Sequence, residues 1–413
     1  MIKFGFRKNN FYPLMLLLFI FLRIIVDQLI KSYHPYKKNV DFLFPFLIMI
    51  SQSLIGFIIY KHYSKNKDLE GKKPSNIQNT TKIPSNICKI NDSKRKVVIL
   101  IIFTSFFNSL GCIIRSDDVV NFGKKEENNS LLEIRIRSIQ ILISSLICYF
   151  TIRLNIYRHQ KVSLIIISIF LFLILVVELI ISITIGSKIL AILICSMSCL
   201  SRSFLDVTEK YLFDYNYINI FKMLIYEGLI GIVIYILYFI SNKSYQIHAK
   251  NLLNDMSEFD WSFVYFIFLI IIYLIISGLR NSYRVKTNKY YSPMSRALFE
   301  STLDPILFLY YTLKYNEKDQ YYGYWLYFGF ILFCLTIIAF FSLIYNDLII
   351  LFCCGLEYDT YIGITYRLSS QEFEHIINDI NNDDNKNLQG NNIELFEREE
   401  PGFEISDYKF EFN

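Results

Sequence analysis

Histidine is scarce in this sequence. There are five, His34, His62, His159, His248 and His375, and they fall between the long apolar runs or at their edges. None is paired with an acid in a motif, and the doublet Asp117-Asp118 does not make an acidic metal-binding loop. A membrane-embedded acyl- or glycosyl-transferase needs one or the other at the membrane face, so the sequence reads as a non-enzyme with no cofactor. The helix breakers are few as well: 15 Gly and 8 Pro in 413 residues. Eight cysteines are present, but five lie in apolar segments, where Cys acts as a small hydrophobe. Cys195 and Cys199 have CxxxC spacing with no His nearby, so neither a disulfide framework nor a metal site is expected. No basic face interleaved with aromatics stands outside the apolar runs, which argues against nucleic acid as a partner.

What is present is apolar. Hydrophobic residues make up 53% of the chain and aromatics 17%. Runs of eighteen or more apolar residues recur, each long enough to cross a hydrocarbon core of roughly 30 Å. The fold class is therefore an all-α membrane protein. Hydropathy predicts ten helices, at 11–31, 42–62, 97–115, 131–153, 160–185, 187–208, 218–241, 261–280, 292–313 and 323–346. The basic stretch before the first run is followed by no small-residue cleavage site, and Arg23 and Asp27 interrupt that run, so it reads as a span rather than a signal peptide.

Charge is distributed unevenly. Residues 355–413 carry four Lys/Arg and fourteen Asp/Glu, a net −10 that leaves +15 for the remainder of a chain whose total is +5. Residues 64–96 are polar with little periodicity and read as a disordered loop holding most of the ten Lys/Arg of 61–96. The Lys/Arg-rich loops 61–96, 153–161, 209–217 and 280–290 fall on one side, which the positive-inside rule makes cytosolic. An even span count then places both termini in the cytosol, 1–10 as the N-terminus and 347–413 as an acidic, largely disordered tail. Asn128, in Asn-Asn-Ser, faces the lumen as the glycosylation candidate. The stretch after the tenth helix, YNDLIILFCCGLEYDT, reads as amphipathic and lying on the membrane surface.

The chain also resembles itself. Arg23, Asp27 and Lys31 have the spacing R-x3-D-x3-K, and so do Arg202, Asp206 and Lys210, all three at one offset. Ser53-Leu-Ile-Gly56 matches Gly228-Leu-Ile-Gly231, and Tyr149-Phe-Thr-Ile-Arg153 matches Tyr310-Tyr-Thr-Leu-Lys314. These matches pair helix 1 with 6, 2 with 7 and 4 with 9. Five is odd, so the two halves, 11–185 and 187–346, would insert with opposite topology as an inverted repeat. The R-x3-D-x3-K spacing puts its three side chains on one helix face, so the two stripes are expected to face one another across a central cavity. Asn108, Glu178, Glu227, Arg296, Glu300 and Asp304 are further polar residues inside predicted spans. Ionisable residues there point to function or to pairing between helices. Pro305 should weaken the ninth helix beside Asp304.

The run Glu209-Lys210-Tyr211, Asp214-Tyr215-Asn216 and Glu227-Gly-Leu-Ile-Gly231 resembles a pattern between helices 6 and 7 of solute carrier family 35. Ser292, Arg296 and Asp304, following a loop with Lys286, look like that family's ninth helix. The family belongs to the drug/metabolite transporter superfamily, which includes the nucleotide-sugar transporters. Thr208 and Tyr226 depart from the pattern, and the F-Y-N-N and G-A-L-N-K motifs of the guanosine-diphosphate-mannose carriers are absent, so their nucleotide contacts are not carried over. The resemblance implies ten helices in two inverted halves with cytosolic termini, in Golgi, ER or other endomembranes. The resulting expectation is a secondary transporter or exchanger of an anionic solute, nucleotide-sugar-like or another phosphorylated or organic anion. Arg23, Arg202 and Arg296 would grip the anion, Asp27, Asp206, Glu227 and Asp304 would balance them or carry coupled protons, and Asn108 would line the same path. The partners expected are membrane lipids, the solute, a second copy in a homodimer and a cytosolic protein bound by the acidic tail. The alternatives are a non-transporting receptor or scaffold acting through that tail and, behind it, a membrane-embedded transferase.

Overall fold

Apolar runs of this length become helices because a helix satisfies its own backbone hydrogen bonds where no water can. The computed structural model describes residues 2–4, 10–32, 40, 42–70, 94–122, 134–152, 156–181, 185–255, 261–314, 322–351, 356 and 360. Asn128, most of the 64–96 loop and the acidic tail beyond 360 lie outside these residues. The helices in chain order are α1 (Phe11–Ser32), α2 (Leu43–Glu70), α3 (Lys94–Phe122), α4 (Ile139–Thr151), α5 (Arg158–Ile181) and α6 (Ile185–Tyr215). They continue with α7 (Ile220–Ser241), α8 (Lys243–Asp255), α9 (Trp261–Tyr290), α10 (Pro293–Ser301), α11 (Asp304–Lys314) and α12 (Tyr322–Tyr345).

Eight of the described segments are long and apolar enough to cross a membrane: Phe11–Lys31, Leu43–His62, Lys94–Ile114, Ile134–Thr151, Arg158–Ile180, Ile220–Ser241, Val264–Tyr290 and Trp325–Tyr345. The other two expected spans are α6 and the α10–α11 pair, which carry Asp206, Glu209, Arg296, Glu300 and Asp304 among the buried charges. The surface is inverted relative to a soluble protein. On α1, Leu14, Leu18, Phe21, Ile25 and Leu29 form one exposed apolar stripe, while Asp206, Glu209 and Glu227 are fully enclosed. Apolar outside and charged inside is the arrangement of a chain solvated by lipid. The chain is an integral, multi-pass helical membrane protein.

Several boundaries differ from expectation for identifiable reasons. Residues 209–217 and 280–290 were expected as loops because of their charge. In the structure α6 runs on to Tyr215 and α9 to Tyr290, because those charges are paired inside the bundle instead of being solvated. The ninth expected span is interrupted between Ser301 and Asp304. Pro305 has no N–H to offer Ser301, and the chain closes the gap with a tighter turn, Thr302 N–H to Phe299 O at 3.3 Å and Leu303 N–H to Glu300 O at 3.2 Å. Residues 243–255, expected as a loop, form α8; the Asn242 side chain caps it by accepting from Ser244 N–H at 3.1 Å. The stretch after the last span does not simply lie on a surface: Ile349–Leu351 (β2) pairs antiparallel with Ile2–Phe4 (β1), Lys3 opposite Ile350. That pairing puts the start of α1 and the end of α12 at the same end of the bundle.

Packing is strongest between α2 and α7, α1 and α9, α3 and α6, and α5 and α12, with α2 also on α9, α3 on α7 and α4 on α6. Glycine sets the closest approach. A Cβ on Gly228 would stand 2.6 Å from Ser53 N and 2.7 Å from Met49 O of α2, backbone atoms that cannot yield. Gly278 of α9 is as tight, 2.8 Å from Ser51 O. Small residues thus bring α2, α7 and α9 together as they do in many membrane bundles. Gly228→Ala is expected to lower the unfolding midpoint in detergent, with a cost of about 1–3 kcal/mol from overpacking. Gly329→Ala, where the added atom meets nothing within 4 Å, should leave the midpoint unchanged or raised.

Candidate functional site: a buried cluster of charges

The site forms where α9 turns back into α10. Ser292 ends the link by accepting from Ser295 N–H at 3.0 Å, and Pro293 follows as the first helical residue, a favourable start for a helix. The last turns of α9 and the first turns of α10 therefore lie side by side, carrying Arg280, Arg284 and Asn288 on one and Arg296 and Glu300 on the other. α6 brings Asp206 and Glu209 on adjacent turns. α7 brings Glu227, whose neighbour Gly228 presses on α2.

At the centre stands Arg284. Its Nη2 donates to Glu209 Oε1 at 2.6 Å and to Glu227 Oε2 at 3.0 Å, and its Nη1 reaches Asp206 Oδ1 at 3.4 Å. One guanidinium thus ties α9 to both α6 and α7. Asp206 also accepts from Arg296 Nη2 and from Gln140 Nε2 of α4, the latter at 3.2 Å. Asn288 Nδ2 donates to Glu209 Oε2 and to the Asp206 carbonyl, both at 2.8 Å. Burial of charge costs several kcal/mol per ion and is tolerated when hydrogen-bonded partners of opposite sign surround it, as here.

A second group adjoins the first. Glu300 Oε1 accepts from Arg296 Nη1 at 2.9 Å and pairs with Arg280 Nη2 at 3.4 Å. Arg202 and Arg137 also lie within electrostatic reach of Glu300. Arg137 Nη1 in turn pairs with Asp304 Oδ1 at 3.0 Å, just where the helix restarts after its interruption. Arg137 and Arg280 keep 14% of their side-chain surface exposed, against 5% for Arg284 and 2% for Arg296. The inner arginines are enclosed by carboxylates, and the outer ones retain an accessible edge. A third, separate group joins Arg135 to Glu178 of α5 at 2.6 Å, with Tyr327 of α12 hydrogen-bonded to both.

Of the residues singled out in the sequence, Asp206, Glu227 and Arg296 meet through Arg284 and one another, and Asp304 and Arg202 border them. Arg23 and Asp27 sit elsewhere on α1: the Arg23 guanidinium lies 5.6 Å from the centre of the Tyr273 ring of α9, and Asp27 pairs with Lys31 at 3.4 Å. On α6 the pair of that spacing is Lys210 with Asp214, also at 3.4 Å. Asn108 donates to Gln52 Oε1 of α2 at 2.9 Å. The residues that sequence reasoning missed are Arg284, Glu209, Asn288, Arg280, Arg137 and Gln140. A signal existed for three of them. Arg280, Arg284 and Asn288 have the same i, i+4, i+8 spacing as Arg296, Glu300 and Asp304, a polar stripe on a helix rather than a set of loop charges.

Set against known proteins, the sequence matches no family model, and no curated protein matches it either. Among the described residues no group of three or more His, Cys, Asp or Glu side chains has the arrangement to hold a metal ion.

Removing Arg284 would leave Glu209 and Glu227 buried without their guanidinium. Arg284→Met is expected to destabilise the protein by about 3–5 kcal/mol, the cost of breaking a buried ion pair from one side. Combining it with Glu209→Gln should recover part of that loss. Denaturant unfolding in lipid-detergent micelles measures both, and a native-like midpoint for Arg284→Met alone would show that the cluster does not hold α6, α7 and α9 together.

Proposed function

We propose that the protein is a secondary transporter of anionic solutes, not an enzyme, and that it works by alternating access. The observation that carries this reading is the set of five arginines, Arg137, Arg202, Arg280, Arg284 and Arg296, interleaved with Asp206, Glu209, Glu227, Glu300 and Asp304 inside a bundle whose outer face is apolar. A protein that only needed to fold would gain more from apolar packing there, because buried ion pairs rarely stabilise relative to hydrophobic replacements. Charges kept at membrane depth mark solute and ion pathways.

The division of labour follows from exposure. Arg284 and Arg296 hold the helices through carboxylates. Arg137, Arg202 and Arg280 surround Glu300 and keep an accessible side. An incoming anion competes with Glu300 for these guanidinium groups, whose planar forks suit phosphate and carboxylate oxygens. Releasing Glu300 loosens the α9–α10 turn and so links solute binding to helix movement.

The ten-span architecture, the inverted repeat and the relation to solute carrier family 35 belong to this proposal. Their support lies in packing as well as sequence. If helix n of the first half corresponds to helix n+5 of the second, α1 on α9 corresponds to α6 on α3, and α2 on α9 corresponds to α7 on α3. The pairs α2–α7 and α5–α12 map onto themselves. All of these are among the main contacts. An even number of crossings also agrees with the β1–β2 pairing, which brings the two ends of the helical bundle to one side. That side is the cytosol and the membrane is an endomembrane, Golgi or ER, in this reading; surface labelling of sealed vesicles tests the first and fluorescence localisation the second.

The decisive test is uptake by the purified protein in liposomes from a panel of nucleotide sugars, nucleotides and organic anions. For the preferred solute, Arg202→Ala is expected to lower uptake roughly ten- to a hundredfold, the loss of one charge-assisted hydrogen bond of about 1.5–3 kcal/mol. Uptake unchanged by that substitution would remove Arg202 from the anion path, and no uptake of any solute on the panel would count against transport itself.

A further inference from the structure

Around Glu227 the acceptors crowd too few donors. Glu209 and Glu227 both hydrogen-bond to the same nitrogen, Arg284 Nη2, so two carboxylates of equal charge crowd one donor atom. Both are fully enclosed. Glu227 Oε1 and Asn288 Oδ1 are buried oxygens with no hydrogen-bond partner. The Asn288 orientation is fixed by the two bonds of its amide nitrogen, so its oxygen is a true acceptor. An unpartnered acceptor buried in the protein is costly, and what satisfies it is a proton donor.

The surrounding charges sharpen the case. From α6 come Asp206 and Glu209, both carboxyl groups. From α9 comes Arg284, which already spans three carboxylates. From α10 come Arg296 and Glu300, and that arginine is divided between Asp206 and Glu300. α4 contributes the neutral Gln140 to Asp206. Ser53 of α2 and Ser109 of α3, which stand against Gly228 and Gly231 of α7, are neutral. The three carboxylates on Arg284 therefore have that guanidinium and a share of Arg296 to balance them. Two carboxylates this close in a dry site share a proton rather than both ionising. A hard metal cation would instead ask for about six oxygen ligands, whereas here two are without a partner.

We propose that Glu209 and Glu227 form a proton-binding site that holds one proton between them at neutral pH, and that this site couples transport to protons. The coupling rests on the transport reading above; the shared proton stands on the geometry alone. Its direction follows from charge. An anion that draws arginine away from Asp206, Glu209 or Glu300 leaves carboxylate uncompensated, and uncompensated buried carboxylate takes up a proton. The linkage is reciprocal, so protonation of the pair favours anion binding. Anion and proton cross together.

Infrared spectroscopy of the full-length protein in lipid tests the site. At neutral pH a carboxylic-acid C=O stretch, shifted by deuteration, is expected from the native protein and lost in both Glu227→Gln and Glu209→Gln, because each variant leaves only one carboxylate of the pair on Arg284 Nη2, where it ionises. Two variants guard against misfolding of one. An absent band, or one retained in both variants, would overturn the shared proton. Liposomes loaded with a pH-sensitive dye test the coupling with the same panel of nucleotide sugars, nucleotides and organic anions: uptake should acidify the interior. Uptake with no pH change overturns the coupling and leaves transport standing. The infrared band without uptake of any solute overturns transport, and the coupling with it, and leaves the proton site standing.

Discussion

One guanidinium holds this bundle together in its most expensive region. Arg284 reaches carboxylates on two other helices, and each of those carboxylates would be prohibitive at that depth without it. The consequence runs outward. Because Glu209 must meet Arg284, α6 stays helical well past the point where hydropathy would end it. Because Arg284 must meet Glu209 and Glu227, α9 does the same. Because Arg296 must reach Asp206, α10 starts immediately after α9 with a Ser-Pro cap and almost no loop. The short connection, the long helices and the cluster are one structural fact seen from three places.

The lipid-facing half of the protein was legible in the sequence. Apolar runs specify spans through backbone hydrogen bonding alone, and Leu14, Leu18, Phe21, Ile25 and Leu29 need only lipid to be satisfied. The charged half was legible in part. Asp206, Glu227, Arg296 and Asp304 stood out because apolar residues flank them. Arg280 and Arg284 did not, because a cation at the end of a hydrophobic run has two physical solutions, snorkelling into water or pairing inside, and hydropathy assigns it to the first. The choice depends on a partner dozens of residues away, which a local window cannot see. Glu209 was hidden for the same reason.

The two charge groups also differ in kind. Around Arg284 the acids outnumber the bases and exposure is minimal, an arrangement suited to holding helices and a proton. Around Glu300 the arginines outnumber the acids and keep an accessible edge, an arrangement suited to exchanging one anion for another. Asp206, shared by Arg284 and Arg296, lies between them. Any event that shifts Arg296 is felt at both groups.

The pairing of Ile2–Phe4 with Ile349–Leu351 bears on how the molecule is made. The first strand leaves the ribosome before any of the described helices, and its partner is not available until the last of them has been made. During that interval the N-terminal strand exposes an unpaired edge, which a chaperone or a neighbouring chain can occupy. Closure of the ribbon thus waits for the whole helical bundle, and it joins the earliest and latest parts of that bundle. A quality-control factor that senses the free first strand would distinguish a complete helical bundle from one still lacking α12.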